Sequence, residues 1–251
     1  MSTFVLVPGF WLGGWAWRDV AAPLRAAGHT VYTPSLTGLG ERVHLASPAV
    51  NLETHITDIV NLLHFEELHD VILLAHSGAM QAVTGAADRV PERIARLVYL
   101  DTGPLPNGMP QADFGPPEQR ARDEQIVAEQ GDGWRLPFPG LDTLSQQASL
   151  AGIDEVTRGR MRALAVPMPW SLATDTLHLT NPALATLPKI GILNSFTEAD
   201  VRQMIAAGIP AFSLMAGPEW RFVELPTSHW AMFSAPAELA AILLDAAAGR
   251  V

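Results

Sequence analysis

The chain contains no cysteine, which excludes disulfides, thiolate nucleophiles and thiolate metal sites. Its only lysine is Lys189, and 16 basic against 26 acidic residues leave a net charge of -10. Nucleic acid is excluded as a partner on that ground, because phosphate binding needs clustered Lys and Arg. No apolar stretch approaches the roughly 18 residues of a membrane span. Met1-Ser2-Thr3 runs directly into a strand-like segment with no charged leader or cleavage signal, so the expected location is cytoplasmic. The 251 residues, 48% hydrophobic and 17% charged, suit one α/β domain with an insertion, with or without pairing into a homodimer.

Apolar runs of strand length alternate with amphipathic stretches of helix length, the pattern of a parallel sheet covered on both faces. Strands are expected at Phe4–Val7, Thr30–Thr33, Val71–Ala75, Leu97–Leu100, Ile190–Leu193 and Phe222–Leu225, and helices near Trp15–Ala27, Leu52–Leu63, Ser77–Arg89 and Ala237–Ala248. Gly28 is the expected stop of the first helix. The stretch from Pro104 to Asn181 differs, holding nine of the twenty prolines. Its helical patterns, Glu118–Glu129 and Ile153–Ala165, are broken by Gly-Pro-Pro, Pro-Phe-Pro and Pro-Met-Pro, and it reads as a helical cap inserted after the strand ending near Leu100. Residues 1–103 and 182–251 then form the core and 104–181 the cap. Phe114, Trp134, Phe138, Met161, Met168 and Trp170 either line an apolar cavity there or hold the cap to the core.

Ser77 ends the run Val71-Ile72-Leu73-Leu74-Ala75-His76 and is followed by Gly78-Ala79-Met80 and a helical pattern. A strand that stops on small-x-Ser-x-small before a helix has the form of a nucleophile elbow, in which a tight turn exposes a strained Ser; Ala75 and Ala79 replace the usual glycines of G-x-S-x-G. Among eight histidines, His229 lies in Leu225-Pro226-Thr227-Ser228-His229, beyond the last strand and over the same sheet edge, and is the expected general base. His44, His55, His64 and His69 read as surface residues, and His76 as a local packing or hydrogen-bonding group beside the elbow.

These segments resemble the α/β-hydrolase superfamily, and within it the small plant-type esterase and hydroxynitrile lyase branch. Phe4 to Trp17 is similar to that branch's opening strand, oxyanion loop and first helix; Ala26-Ala27-Gly28-His29, the elbow, and Thr227-Ser228-His229 with Met232 and Pro236 follow in register. The resemblance implies an α/β-hydrolase fold with a mostly parallel sheet, and an oxyanion hole from the backbone N–H groups of Phe10 and Gly78. Pro8 stands where a His is usual. The branch usually places its acid just after the strand Ile190–Leu193, where this chain has Thr197. Asp101, ending the apolar run Leu97–Leu100, is favoured as the acid; Glu198 and Asp200 are the alternatives, although both also read as residues of a helix cap.

The expected function is serine hydrolysis of an ester of a small hydrophobic molecule, without metal or cofactor, in a pocket lined by Trp11, His76, Trp134, Met168, Trp170 and Trp230. A lyase or cyclisation-type biosynthetic enzyme on the same residues, or a ligand-binding receptor on this fold, are the alternatives. The branch's lyases use an active-site Lys, and Lys189 falls at the opposite end of its strand, which disfavours that chemistry.

Overall fold

The computed structural model describes the backbone of residues 1–251 and every side chain except that of Gln147. The apolar runs form β1 (Thr3–Val7), β2 (Thr30–Tyr32), β3 (Val71–His76) and β4 (Ile94–Leu100); an insertion carries the short β5 (Arg135–Leu136) and β6 (Met168–Pro169); β7 (Lys189–Leu193) and β8 (Trp220–Glu224) follow. The main sheet has the order β2-β1-β3-β4-β7-β8 with every neighbouring pair parallel. Around it stand α1 (Arg18–Ala26), α2 (Leu52–Phe65) and α3 (Met80–Arg89). The insertion holds α4 (Pro117–Gln130), α5 (Leu141–Gln147) and α6 (Glu155–Leu164), and α7 (Glu198–Ala206) and α8 (Pro236–Ala247) complete the chain.

Strand residues point alternately to the two faces, and that alternation divides the core. Phe4, Leu6, Ile72, Leu74, Val98, Leu100, Ile190 and Ile192 pack with Trp17, Val20 and Leu24 of the first helical segment and Leu239 and Leu243 of α8. Their neighbours Val5, Val7, Leu73, Ala75, Leu97 and Tyr99 pack on the other face with Ile56, Ile59 and Leu63 of α2 and Val83 and Ala86 of α3. Strands buried on both faces read as continuous apolar runs, as β1, β3 and β7 do, whereas the edge strands β2 and β8 keep partly exposed residues. Gly28, at φ 86°, ends α1 as expected.

The segment between β4 and β7 is not purely helical. α4 and α6 fall on the two expected patterns, but β5 and β6 pair antiparallel, Leu136 opposite Met168 and Arg135 opposite Pro169. Pro137, Pro139, Pro167 and Pro169 force extended backbone while denying ladder donors, so a strand forms but stays two residues long. No helix is long and apolar enough to cross a membrane among the described residues.

His55 corrects the surface reading: it is 4% exposed, and its Nε2 donates to Thr37 O at 2.8 Å. Desolvation lowers its pKa to about 4. His76, 1% exposed, is lowered to about 3, by desolvation first and then by the nearby His229. Unfolded histidine titrates near 6.5, so as pH falls below that value the unfolded chain takes up protons that the folded chain excludes. Stability from each histidine is complete above about pH 6.5 and is lost on acidification at about 1.4 kcal/mol per pH unit. Melting temperature should therefore fall continuously from pH 7 to 4.5, and His55→Gln, which keeps a donor for Thr37 O, should roughly halve the slope; a flat wild-type profile would contradict both assignments.

Candidate active site

In a parallel sheet the strand C-termini share one edge, and the loops there build the site. Ser77 follows β3 at φ 48°, a left-handed conformation costing about 1–3 kcal/mol in a non-glycine residue. Gly78 and Ala79 continue it as a 3₁₀ turn into α3, and the flanking Ala75 and Ala79 are buried. The loop after β1 crosses tightly against this turn. A Cβ on Gly9 would lie 2.9 Å from His76 Nδ1 and 3.1 Å from Ser77 Cβ, and one on Gly78 would strike the Phe10 ring. Glycine at both positions is what brings the Phe10 and Gly78 backbone beside Ser77. The Phe10 N–H has no backbone acceptor among the described residues.

His229, beyond β8, directs Nδ1 to Asp101 Oδ2 at 2.7 Å. Asp101 directly follows β4, and its own N–H donates to Ile192 O at 2.8 Å. Its carboxylate also accepts from Asn194 N at 3.0 Å, Ser195 N at 2.8 Å and Ser195 Oγ at 2.6 Å. Burial by itself would raise this carboxyl, but the hydrogen bonds from His229 and Ser195 and the His229 charge outweigh it and hold the pKa at about 2. Glu198 and Asp200 are elsewhere: Asp200 forms a capping box with Thr197 at the start of α7, and Glu198 pairs with Arg202 one turn on. The loop after β7, where the resembling branch usually places its acid, thus supplies donors to Asp101 instead.

His76 donates from Nε2 to His229 O at 3.0 Å, fixing the backbone of the histidine above it. Trp11, next to Phe10, has φ 64°, and both its polar ends are tied to the insertion: Nε1 donates to Leu136 O at 3.2 Å, and its carbonyl accepts from Val166 N at 3.0 Å. Lys189 lies at the start of β7, the far edge of the sheet, with Nζ donating to the carbonyls of Leu184, Ala185 and Leu187. Among the described residues no cluster of three or more His, Cys, Asp or Glu side chains could hold a metal ion.

A cavity of about 230 Å³ is lined by Ser77, His229 and Asp101, by Gln111 and Phe114 of the insertion, and by Phe196, Phe212 and Met215 beyond β7. Phe114 and Phe196, 54% and 46% exposed, stand at its mouth, whereas Met215 is buried. None of Trp11, His76, Trp134, Met168, Trp170 and Trp230 lines it, which corrects the expected pocket. Trp134 and Trp170 bracket the β5–β6 pair, where Trp170 N donates to Trp134 O, and Met168 and Trp170 pack with Leu39, Leu136 and Leu172 in a separate small cluster. Trp230 belongs to the core on the α1–α8 face, and His76 is sealed beneath His229. Phe196 and Phe212 pass unnoticed in the sequence because they sit on a bend and a four-residue helix, Pro210–Ser213, too short to show periodicity; proximity to the end of β7 was the one signal for Phe196.

A model of the alpha/beta hydrolase family matches residues 4–242. The chain belongs to that family. A carbendazim hydrolyzing esterase of Nocardioides is 35% identical, with 96% of this chain and 97% of that protein aligned. Methylesterase 17 of Arabidopsis thaliana is 28% identical over 54% of this chain and 48% of its own length. Among solved structures, an extracellular alpha/beta-hydrolase from a Paenibacillus species matches with a TM-score of 0.81 at 24% identity, covering 98% of each chain. A pyrethroid hydrolase from Sphingobium faniae matches with a TM-score of 0.70 at 22% identity, over 97% of this chain and 96% of that one. The hydrolase thus shares its fold with both and its family with the named esterases.

Proposed function

We propose that this hydrolase is a serine esterase cleaving an ester of a small, largely apolar molecule through an acyl-enzyme on Ser77. The observation that carries the reading is the 2.7 Å His229–Asp101 hydrogen bond, made by a histidine that lines one cavity with a Ser at a strained strand-to-helix turn. Asp101, ionised across the neutral range, accepts a hydrogen bond from His229 Nδ1–H and so leaves Nε2 as the free base. Ser77 Oγ attacks the ester carbonyl carbon while its proton passes to His229 Nε2, and the tetrahedral oxyanion forms at the Phe10 and Gly78 N–H groups. Collapse breaks the bond to the leaving oxygen, which departs as an alcohol with the proton from His229. Water then attacks the acyl carbon with His229 again as base, releasing the acid and restoring Ser77. The names of the Nocardioides and Arabidopsis relatives support an ester as the substrate. Residues 104–181 act as the cap whose leading segment closes one side of the cavity.

The cavity makes the reading testable. In a series of p-nitrophenyl esters, each added acyl CH₂ should contribute up to about 0.8 kcal/mol, or roughly fourfold in kcat/KM, until the space is full. Met215→Trp should move the optimum to shorter chains, and Trp170→Ala should not move it. Absence of turnover across the series would overturn the esterase reading, and a length optimum that follows Trp170 instead of Met215 would overturn this assignment of the cavity.

A further inference from the structure

His229 stands in an irregular loop, and Pro226 to His229 make no backbone-to-backbone hydrogen bond among the described residues. Side chains set the geometry there instead. The carbonyls of Ser228 and His229 belong to the two peptide groups on either side of the His229 Cα, and each accepts from a buried donor at 3.0 Å: Ser228 O from Asn194 Nδ2, His229 O from His76 Nε2. Asn194 directly follows β7, is 7% exposed, and donates its own N–H to Asp101 Oδ1 at 3.0 Å. One residue thus touches both the acid and the loop of the base. Turned over, its carboxamide would set Oδ1 against Ser228 O, acceptor against acceptor, so Nδ2 must face that carbonyl. Oδ1 is then buried without a partner, an unfavourable state that an apolar side chain would avoid. The hydroxyls of Thr227 and Ser228 bond to Ser234 Oγ at 2.8 and 2.9 Å, which ties the loop to its own continuation and not to the sheet.

We infer that Asn194 is a positioning residue for the reaction: through its side chain on Ser228 O and its backbone N–H on Asp101 it fixes base and acid relative to one another, so that His229 Nε2 faces Ser77. This rests on the esterase reading and deepens it by naming what holds the base. The hydrogen bond from Nδ1 to Asp101 fixes one point of the imidazole and leaves the ring free to swing about that point. The peptide groups from which the ring hangs must therefore be held as well, and Asn194 and His76 hold one each. A displacement of about 1 Å at a reacting group can cost about 10²-fold in rate. Asn194 does not line the cavity, so its effect falls on the chemical step and not on substrate binding.

The test is Asn194→Leu, which keeps the volume and removes the donor, assayed on p-nitrophenyl butyrate well below its melting temperature and with kcat expressed per site titrated by a fluorophosphonate. A purely structural role would lower the number of competent sites and leave the rate per site unchanged. The expected result is a loss of about 10²-fold in kcat per site with KM within about twofold of wild type. The low-field proton resonance of the His229–Asp101 hydrogen bond, assigned by its absence in Asp101→Asn, should shift or broaden in the same variant. Asn194→Ala removes the donor without bulk and should show the same losses where leucine does not fit. A kcat per site within about twofold of wild type in the folded variants, a change confined to KM, or an unaltered resonance would overturn the inference. The esterase reading fails separately, if the fluorophosphonate does not label Ser77 of the wild-type protein.

Discussion

Ser77→Ala is expected to fold as the wild type does and to lose about 10⁶-fold in kcat toward p-nitrophenyl esters, the scale on which removal of a serine nucleophile acts when its partners remain. The substitution removes one oxygen from a half-buried side chain that makes no hydrogen bond holding the turn. Alanine must adopt the same φ near 48°, so a small stability change in either direction is compatible with intact folding. Steady-state assays together with a melting curve separate the two effects. A variant that melts normally and keeps wild-type turnover would remove Ser77 from the mechanism.

Asp101→Asn should lower kcat by about 10⁴-fold with modest change in KM, because an amide cannot both hold the Nδ1–H tautomer of His229 and stabilise the imidazolium. The same substitution leaves the Asn194 and Ser195 donors with a weaker acceptor, so some loss of thermal stability accompanies it. Glu198→Gln and Asp200→Asn act on the start of α7, where they remove an exposed ion pair and one half of a capping box, and should lower the melting temperature slightly with turnover nearly unchanged. If Asp200→Asn or Glu198→Gln reduced turnover as Asp101→Asn is expected to, the assignment of the acid that orients His229 would have to move to the loop after β7.

Both expectations begin in the sequence, but unequally. The elbow was legible because it is local: an apolar strand, a Ser between small residues and a helix occur within a dozen positions. His229 was legible through its place after the last strand. For Asp101 the sequence showed a carboxylate ending a buried run, yet Glu198 and Asp200 stood nearer the position the family resemblance indicated. The partners that separate them, His229 on one side and Thr197 and Arg202 on the other, appear once the chain is folded. The pocket was read least well. Trp134 and Trp170 look like a lining until β5 pairs with β6, and that pairing of segments some thirty residues apart, set by proline-rich extended backbone, holds them outside the cavity that Ser77 lines. His55 failed for a similar reason, since the loop holding Thr37 closes over it from eighteen residues upstream.

The central claim is a covalent intermediate on Ser77, and intact-protein mass spectrometry after treatment with a fluorophosphonate tests it most directly. Wild-type protein should gain the mass of a single adduct, mapped by peptide analysis to the segment containing Ser77, with Ser77→Ala unlabelled and His229→Ala labelled far more slowly. An adduct on another serine, or none on a wild-type preparation that cleaves esters, would contradict the account.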